Sequence, residues 1–356
     1  MKNENKTLPL DLNSIKRIAV IGPNADVVEL GGYSGTPSVN ISTLDGIKSK
    51  LEGKAEVVFK KGCSILGKEE TGWDEEKNEG IYNYFDETES IKEAADLAGT
   101  CDAVILVVGT DLSVVDETAD MQDLNLPGNQ LDLVQKVTMV NKNTIVVLIN
   151  GIPLTTNWID ENVPAVVEAW YAGQAGGAAI ADVIFGDYNP GGKLPVTFYK
   201  NVDSLPHLGD YDITKGRTYW FYNSDVLYPF GHGLSYTTFE YSNISLDENS
   251  FSINDVNLKV SMEIKNTGSV KGDEVVQLYV KDVESSVIQP IKKLRAFKRI
   301  SLDSGETKNV SFGLKSEDFS YWDENKKDWS IEEGEFEIMI GSSSEEIKLK
   351  MSLSIH

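Results

Sequence analysis

Short, almost wholly apolar runs alternate with amphipathic stretches between residues 10 and 197. Runs of strand length without polar alternation are typical of parallel strands that helices cover on both faces. The amphipathic stretches have helical spacing, as in Ile91, Ala94, Ala95 and Ala98. Residues 10–197 are therefore predicted to form an α/β sandwich, layered α/β/α around a mostly parallel sheet. The predicted strands are Arg17–Ile21, Ala55–Phe59, Ala103–Val108, Thr144–Ile149 and Ala165–Trp170, and further helices contain Leu131–Val137 and Gly176–Gly186.

The pattern changes to a period of two in the last third of the chain. Apolar and polar residues alternate from Val256 to Ile264, and again in residues 275–279, 310–314, 336–340 and 347–351. Half-buried strands at such short intervals predict an antiparallel β-sandwich over residues 251–356. The intervening residues 198–250 are rich in aromatic side chains and have no clear period. They are predicted to form a connecting strap, because disordered linkers are poor in aromatic residues.

Composition narrows the class of protein. The 356 residues suffice for two domains, and 33 Lys and Arg against 56 Asp and Glu give a net charge of −23. That charge argues against nucleic acid and against an anionic membrane surface as partners. No apolar run approaches the roughly 20 residues of a spanning helix. The N-terminal residues are polar and lack the apolar core of a secretory signal. The location is therefore left open: cytoplasmic by default, and secreted or periplasmic if the chain belongs to a longer precursor.

Neither a metal site nor a nucleotide site is predicted from local motifs. His207, His232 and His356 show no paired-ligand spacing, and His232 is interpreted as structural. The turn after the first strand, at Gly22 and Pro23, lacks the glycine spacing of a phosphate-binding loop. Cys63 and Cys101 are expected to be small buried apolar residues. A basic run is expected on the solvent face of a strand: Lys292, Lys293, Arg295, Lys298 and Arg299.

The loop after the third predicted strand carries the strongest candidate chemistry. Lys and Arg are absent between Ala103 and Gln135, whereas five acids lie close together: Asp111, Asp116, Glu117, Asp120 and Asp123. Ligands of α/β proteins usually bind at the carboxyl ends of the strands. Crowded carboxyl groups raise one another's pKa, which suits a general acid near neutral pH. A solvated acidic loop that leads into the helix near Gly128 is the alternative.

Several longer motifs resemble one enzyme family throughout the chain. The segments concerned are Leu30–Gly35, Gly109–Gln130, Asn150–Pro153, Trp170–Gly177, Phe185–Phe198, Tyr228–Thr237, Asn266–Gly268 and Gly272–Val280. Together they resemble the C-terminal half of glycoside hydrolase family 3, the β-glucosidase and β-xylosidase family. The resemblance implies that residues 10–197 form the C-terminal α/β domain of that family and that residues 251–356 form its fibronectin type III-like domain.

The resemblance also implies roles for particular residues. Glu117 aligns with the acid/base carboxyl, and Asp116 is the runner-up because a loop alignment can shift by one position. Tyr33 aligns with an aromatic residue of the sugar-binding region, with an ordinary packed loop tyrosine as the alternative. Two carboxyl groups suffice for the retaining reaction, so no cofactor is implied. Many members have Gly directly after the acid/base residue and Arg four positions after it, where this chain has Thr118 and Met121.

A preceding (β/α)₈ barrel carries the aspartate nucleophile and most sugar contacts in that family, and the resemblance of this chain begins only after the barrel. The implied function is the C-terminal portion of a retaining β-glycosidase that acts on a β-linked oligosaccharide or glycoside and is inactive without a barrel. A barrel-bearing chain, or a second copy of this chain, is then the expected partner. The alternative is a non-catalytic carbohydrate-binding or interaction and scaffold protein derived from such an enzyme.

Overall fold

A computed structural model describes residues 2–77, 79–84, 86–117, 121–253 and 256–356 of the chain. These residues form two compact units. The first unit extends to Tyr188 and includes Lys200–Val202, and the second consists of Asn189–Tyr199 and Asp203–His356. The domain limits expected from the sequence stay a prediction.

The first unit is built on a six-stranded sheet with the order β1-β8-β7-β6-β2-β3. All neighbouring pairs from β8 to β3 are parallel, and only β1 runs antiparallel to its neighbour. The strands of the unit are β1 (Lys2–Asn3), β2 (Arg17–Ile21), β3 (Glu56–Lys60), β4 (Lys68–Asp74), β5 (Glu79–Tyr84), β6 (Ala103–Gly109), β7 (Thr144–Ile149) and β8 (Ala165–Glu168). Its helices are α1 (Thr43–Leu51), α2 (Thr88–Ala98), α3 (Gln130–Val140), α4 (Asn157–Asn162) and α5 (Gly176–Phe185).

Both faces of this sheet are covered. Every residue of β6 and β7 is buried. Leu106 and Val146 pack in one core with residues of α2 and α3, such as Ile91 and Leu133. On the opposite face, residues such as Ile105 are also fully buried. The predicted layered α/β sandwich with a mostly parallel sheet is confirmed.

A hairpin lies outside the six-stranded sheet. β4 and β5 pair antiparallel with each other and form a separate two-stranded sheet. The acidic residues of this region have no apolar period, so the sequence alone did not predict strands here. The pairing comes from backbone hydrogen bonds, which do not require alternation in the sequence.

The second unit contains a β-sandwich in which neighbouring strands are antiparallel, except that the two-residue β12 pairs parallel with β20. One sheet has the order β11-β13-β16 and the other β12-β20-β19-β14-β15. The strands of the second unit are β9 (Phe198–Tyr199), β10 (Val226–Tyr228), β11 (Phe239–Leu246), β12 (Ser250–Phe251), β13 (Asn257–Asn266), β14 (Gly272–Asp282), β15 (Lys293–Leu302), β16 (Thr307–Lys315), β17 (Tyr321–Asp323), β18 (Asp328–Ser330), β19 (Gly334–Gly341) and β20 (Ile347–Ile355). β9 and β10, and likewise β17 and β18, form separate two-stranded sheets. Two short helices, α6 (Thr218–Phe221) and α7 (Ser316–Phe319), accompany them.

The alternation in the sequence places one face of each strand in the sandwich core. Val260 of β13 and Phe312 of β16 meet Leu278 of β14 and Ile338 of β19 in one buried cluster. The predicted β-sandwich is thereby confirmed. Asn266, fully buried at the end of β13, donates to the carbonyl oxygens of Val270 and Leu302 at 2.8 and 3.0 Å.

The basic run on β15 departs from its expected solvated position. Lys298 and Arg299 are exposed as expected, but Lys292, Lys293 and Arg295 are half-buried. The expectation considered only the outward face of a strand and not the loops that cover its first residues. These three cations therefore lie in a partly desolvated environment.

Candidate active site

A long loop from β6 to α3 carries the acidic residues singled out in the sequence, and its two ends are held together by Gln130. The Gln130 carboxamide oxygen accepts from the Gly109 N–H at 2.8 Å. Its nitrogen donates to the carbonyl oxygens of Gly109 and Pro127, at 2.8 and 3.2 Å. Gln130 is fully buried, so these hydrogen bonds are shielded from water. They fix where the loop leaves the sheet and where it enters the helix.

The glycines at the loop ends are required by close backbone approach. A Cβ atom at Gly109 would lie 1.8 Å from the Ile149 carbonyl oxygen. Gly128 has a φ of +61° and lies against the segment after β3, where a Cβ would come within 2.5 Å of the Ile65 carbonyl oxygen. Any side chain at either position would displace the backbone.

A buried carboxylate secures the helix end of the same loop. Glu87 is almost fully buried and accepts from the Ser64 N–H and hydroxyl at 2.5 and 2.8 Å. Its other oxygen accepts from the Asn129 side chain at 3.0 Å. Because three donors satisfy Glu87, this carboxylate is a structural anchor that joins three segments of the first unit.

The structure brings Tyr33, Asp116 and Glu117 together. Tyr33 lies in the loop after β2 and Glu117 in the loop after β6, and these two strands are neighbours in the sheet. The Tyr33 hydroxyl donates a hydrogen bond to the Glu117 carboxylate. The Asp116 carboxylate accepts from the Glu117 N–H at 2.9 Å. Parallel neighbouring strands end at the same edge, which is why residues so distant in sequence meet here.

This cluster is open to solvent within the first unit. Tyr33 is 87% exposed, and Asp116 and Glu117 are exposed as well. The hydrogen bond to Glu117 raises the pKa of Tyr33, and the nearby Asp116 charge adds to this increase. Tyr33 therefore keeps its proton near neutral pH and acts as a hydrogen-bond donor.

Glu29, a further carboxyl group that was not predicted from the sequence, lies in the loop that carries Tyr33. Burial, with a smaller contribution from the charge of Asp111, raises the pKa of Glu29 to about 7, while the hydrogen bond from the Asn24 side chain opposes the increase. Asn24 is buried and donates to the Thr110 carbonyl oxygen at 3.1 Å. Glu29 stands between apolar residues in the sequence. That apolar setting was the only sequence feature that could have indicated a buried carboxyl group.

Glu168, at the end of β8, is a third carboxyl group at this edge of the sheet and was also missed. Burial raises its pKa to about 8, and hydrogen bonding from Trp170 and Asn150 opposes the increase. One Glu168 oxygen accepts from the Trp170 N–H at 3.1 Å. Trp170 has a φ of +54°, so the chain turns there and β8 ends two residues before its predicted end. The edge thus combines exposed carboxylates with two carboxyl groups of raised pKa.

Thr118 and Met121 are the two positions at which the acid/base loop departs from the family pattern, and only Met121 is described by the structure. Met121 is half-buried, and Thr118 lies outside the described residues. Within the described ranges, no three His, Cys, Asp or Glu side chains are grouped as metal ligands. In the same part of the chain, every helix is too short or too polar to cross a membrane.

Comparison with known proteins identifies the class. Residues 1–236 match the glycosyl hydrolase family 3 C-terminal domain, and residues 274–344 match the fibronectin type III-like domain. The chain therefore belongs to glycoside hydrolase family 3 and corresponds to a C-terminal portion of it.

Individual relatives support the same assignment. A β-xylosidase of Formosa agariphila is 43% identical over the whole of this chain, which covers 48% of that protein. A β-glucosidase structure from Erythrobacter marinus superposes with a TM-score of 0.87 at 37% identity, with 100% of this chain and 48% of that chain covered. A variant β-glucosidase of Listeria innocua in complex with laminaribiose gives a TM-score of 0.82 at 26% identity, with 100% and 47% covered. The chain thus spans about half the length of the relatives it matches.

Proposed function

We propose that this chain is the C-terminal portion of a retaining β-glycosidase of the β-glucosidase or β-xylosidase type, and that Glu117 is its acid/base carboxyl. The aspartate nucleophile would come from a (β/α)₈ barrel outside these 356 residues. The substrate would be a β-linked oligosaccharide or glycoside, in line with the disaccharide bound by the Listeria innocua relative.

The hydrogen bond from Tyr33 to Glu117 is the observation that carries this proposal. It joins the two loops in which the sequence predicted the sugar-binding aromatic residue and the acid/base residue. An exposed carboxylate normally has many side-chain orientations. The Tyr33 hydroxyl on the neighbouring loop restricts those orientations. A carboxyl group held in one orientation is better placed to transfer a proton to or from a bound substrate.

Glu117 would act twice in the reaction. In the first step, the barrel aspartate attacks the anomeric carbon while the Glu117 carboxyl donates its proton to the departing glycosidic oxygen. In the second step, the Glu117 carboxylate takes a proton from the water that attacks the anomeric carbon, and the bond to the barrel aspartate breaks to release its carboxylate. The two carboxyl groups must then lie roughly 5 Å apart. The open position of Glu117 leaves room for a facing domain to bring its nucleophile that close.

Activity measurements with and without a barrel test this proposal. The purified 356-residue chain is expected not to hydrolyse aryl β-glucosides or β-xylosides, because it provides no nucleophile opposite Glu117. Fusion to the barrel portion of the Formosa agariphila relative should restore hydrolysis, and Glu117→Gln in the fusion should abolish it. Gln122→Glu, a substitution of an exposed residue in the same loop, is the matched control and should leave activity unchanged.

Three outcomes would overturn all or part of the proposal. Hydrolysis by the isolated chain that Glu117→Gln abolishes would place a nucleophile within these residues. An active fusion that tolerates Glu117→Gln would remove the acid/base role from Glu117. A folded but inactive fusion would favour the alternative, a non-catalytic carbohydrate-binding or scaffold protein.

A further inference from the structure

A cleft of about 1020 Å³ lies within the second unit. Its size reaches the upper end of the roughly 300–1,000 Å³ that ligand sites span. The lining combines three tryptophans with two cations: Trp220, Trp322, Trp329, Lys293 and Arg295. None of these residues belongs to the loops that carry Tyr33 and Glu117.

The hairpin formed by β17 and β18 presents the aromatic surface of the cleft. Trp322 and Trp329 are cross-strand partners, and their rings meet edge to face with centroids 5.9 Å apart. Trp322 is 46% exposed and Trp329 is 65% exposed. Exposed indole rings on a short hairpin leave flat apolar surface in water, and such surface favours a partner with flat C–H faces.

The cationic surface of the cleft comes from the first residues of β15. The Lys293 ammonium donates to the Gln289 side-chain oxygen at 2.9 Å and lies 3.5 Å from the Ser320 carbonyl oxygen. The Arg295 Nε atom is buried and has no hydrogen-bond partner among the described residues. Within those residues, no carboxylate lies within salt-bridge distance of either cation. Such cations are unexpected in a chain in which 56 acids outnumber 33 basic residues.

The two cations are incompletely stabilised. Burial lowers the pKa of Lys293 to about 8, and repulsion from Arg295 contributes, while Asp282 opposes the decrease. Burial also lowers the pKa of Arg295, and Asp318 opposes that decrease. Three acids also line the cleft, Glu317, Asp323 and Glu324. Asp323 accepts from the N–H groups of Asn325 and Lys326, and Glu324 pairs with Lys327 at 3.4 Å. A bound anion would give Lys293 and Arg295 the direct ionic partner that these acids do not provide at salt-bridge distance.

We propose that this cleft binds an anionic saccharide unit, with the sugar ring against Trp322 and Trp329 and its carboxylate or sulfate on Arg295 and Lys293. A saccharide is inferred because the aromatic surface suits the faces of a sugar ring and because the chain belongs to a glycoside hydrolase family. The site is separate in its residues from the proposed acid/base cluster and does not depend on the role of Glu117.

Binding to the 356-residue chain tests the proposal with four probes. These are a tetramer of galacturonic acid, a sulfated tetrasaccharide, neutral cellotetraose and inorganic sulfate. Titration calorimetry and tryptophan fluorescence should show binding of at least one charged tetrasaccharide. Cellotetraose and sulfate should each bind at least about tenfold more weakly than the charged tetrasaccharide, because cellotetraose lacks the anionic group and sulfate lacks the sugar ring. The two charged probes distinguish a carboxylate from a sulfate as the natural anion.

Matched variants locate the binding. Arg295→Gln and Trp329→Ala should each weaken binding of the charged tetrasaccharide by about tenfold or more. The controls are Lys298→Gln and Phe297→Ala, which alter an exposed cation and an exposed aromatic residue of the same strand outside the cleft. Both controls should bind as the unaltered chain does.

Three results would overturn the proposal. They are equal affinity for cellotetraose and the charged probes, absence of binding by every tetrasaccharide at millimolar concentration, and equal effects of Arg295→Gln and Lys298→Gln. If circular dichroism shows that Arg295→Gln disturbs the fold, Lys293→Gln and the exposed Trp329→Ala decide the question. A failure here leaves the Glu117 fusion assay unaffected, so the two proposals fail separately.

Discussion

Replacement of Gln130 by methionine should destabilise the first unit by about 2–4 kcal/mol. The substitution keeps the side chain's length but removes two buried hydrogen bonds to Gly109, both at 2.8 Å, and a partly buried one to Pro127 at 3.2 Å. Each bond contributes roughly 0.5–1.5 kcal/mol net, and the Gly109 groups left behind are shielded from water. With a urea slope of about 1–3 kcal/mol per molar, the unfolding midpoint should fall by about 0.7–4 M.

Urea unfolding followed by circular dichroism measures this change, with Gln135→Met as the matched control on α3. Gln135 is only half-buried, so its replacement should cost less than about 0.5 kcal/mol. Equal midpoints for the two variants would refute the claim that Gln130 holds the loop ends together.

A second variant of Gln130 tests the same hydrogen bonds through their dependence on pH. Gln130→Glu places a carboxylate against two carbonyl oxygens, which raises its pKa in the folded state, so its deficit should be small near pH 4 and grow as the pH rises.

Two further predictions concern carboxyl groups of the candidate site. In an active barrel fusion, Glu117→Ala should slow hydrolysis strongly for substrates with poor leaving groups and less for activated aryl glycosides. Azide should rescue turnover of the activated substrate by this variant. Rescue seen in Asp116→Ala alone would transfer the acid/base role to Asp116. The raised pKa of Glu168, about 8 against 4.5, means that its contribution to stability is fully present below about pH 4.5 and is lost as the pH rises to about 8. Glu168→Gln should therefore equal the unaltered chain near pH 4.5 and exceed it in unfolding free energy by roughly 2–4 kcal/mol at pH 8.5. A difference that stays constant with pH in urea titrations would contradict that assignment.

The buried strands were predictable because a short, continuous apolar run is typical of a parallel strand that is covered on both faces. β2 and β7 occupy the predicted residues, and β6 extends one residue further, to Gly109. β1 was not predicted, since two residues carry no period. The basic run was correctly expected on a strand, β15, but the partial burial of Lys292, Lys293 and Arg295 was not predicted, because the residues that cover them lie far away in sequence.

The candidate site was predictable in part. The sequence identified the two loops, but the order of strands in the sheet, which makes β2 and β6 neighbours, cannot be read from periodicity. The Tyr33–Glu117 hydrogen bond depends on that order. Glu29 and Glu168 were missed for a different reason. Their raised pKa values come from burial by residues distant in sequence, and single acids next to apolar residues are common.

The hydrogen bonds of Gln130 to Gly109 and Pro127 hold the two ends of the β6–α3 loop together, so the interior of this loop can be replaced as a segment. Because both ends are fixed to each other and to the sheet, a change in the loop's interior does not have to be absorbed by the strands. The entropic cost of closing a loop grows only with the logarithm of its length, so lengthening this one by a quarter costs about 0.2 kcal/mol. Loops from other members of the family could therefore be grafted between Gly109 and Gln130, provided that both residues are kept together with Gly128 and Asn129, which hold the helix end of the loop.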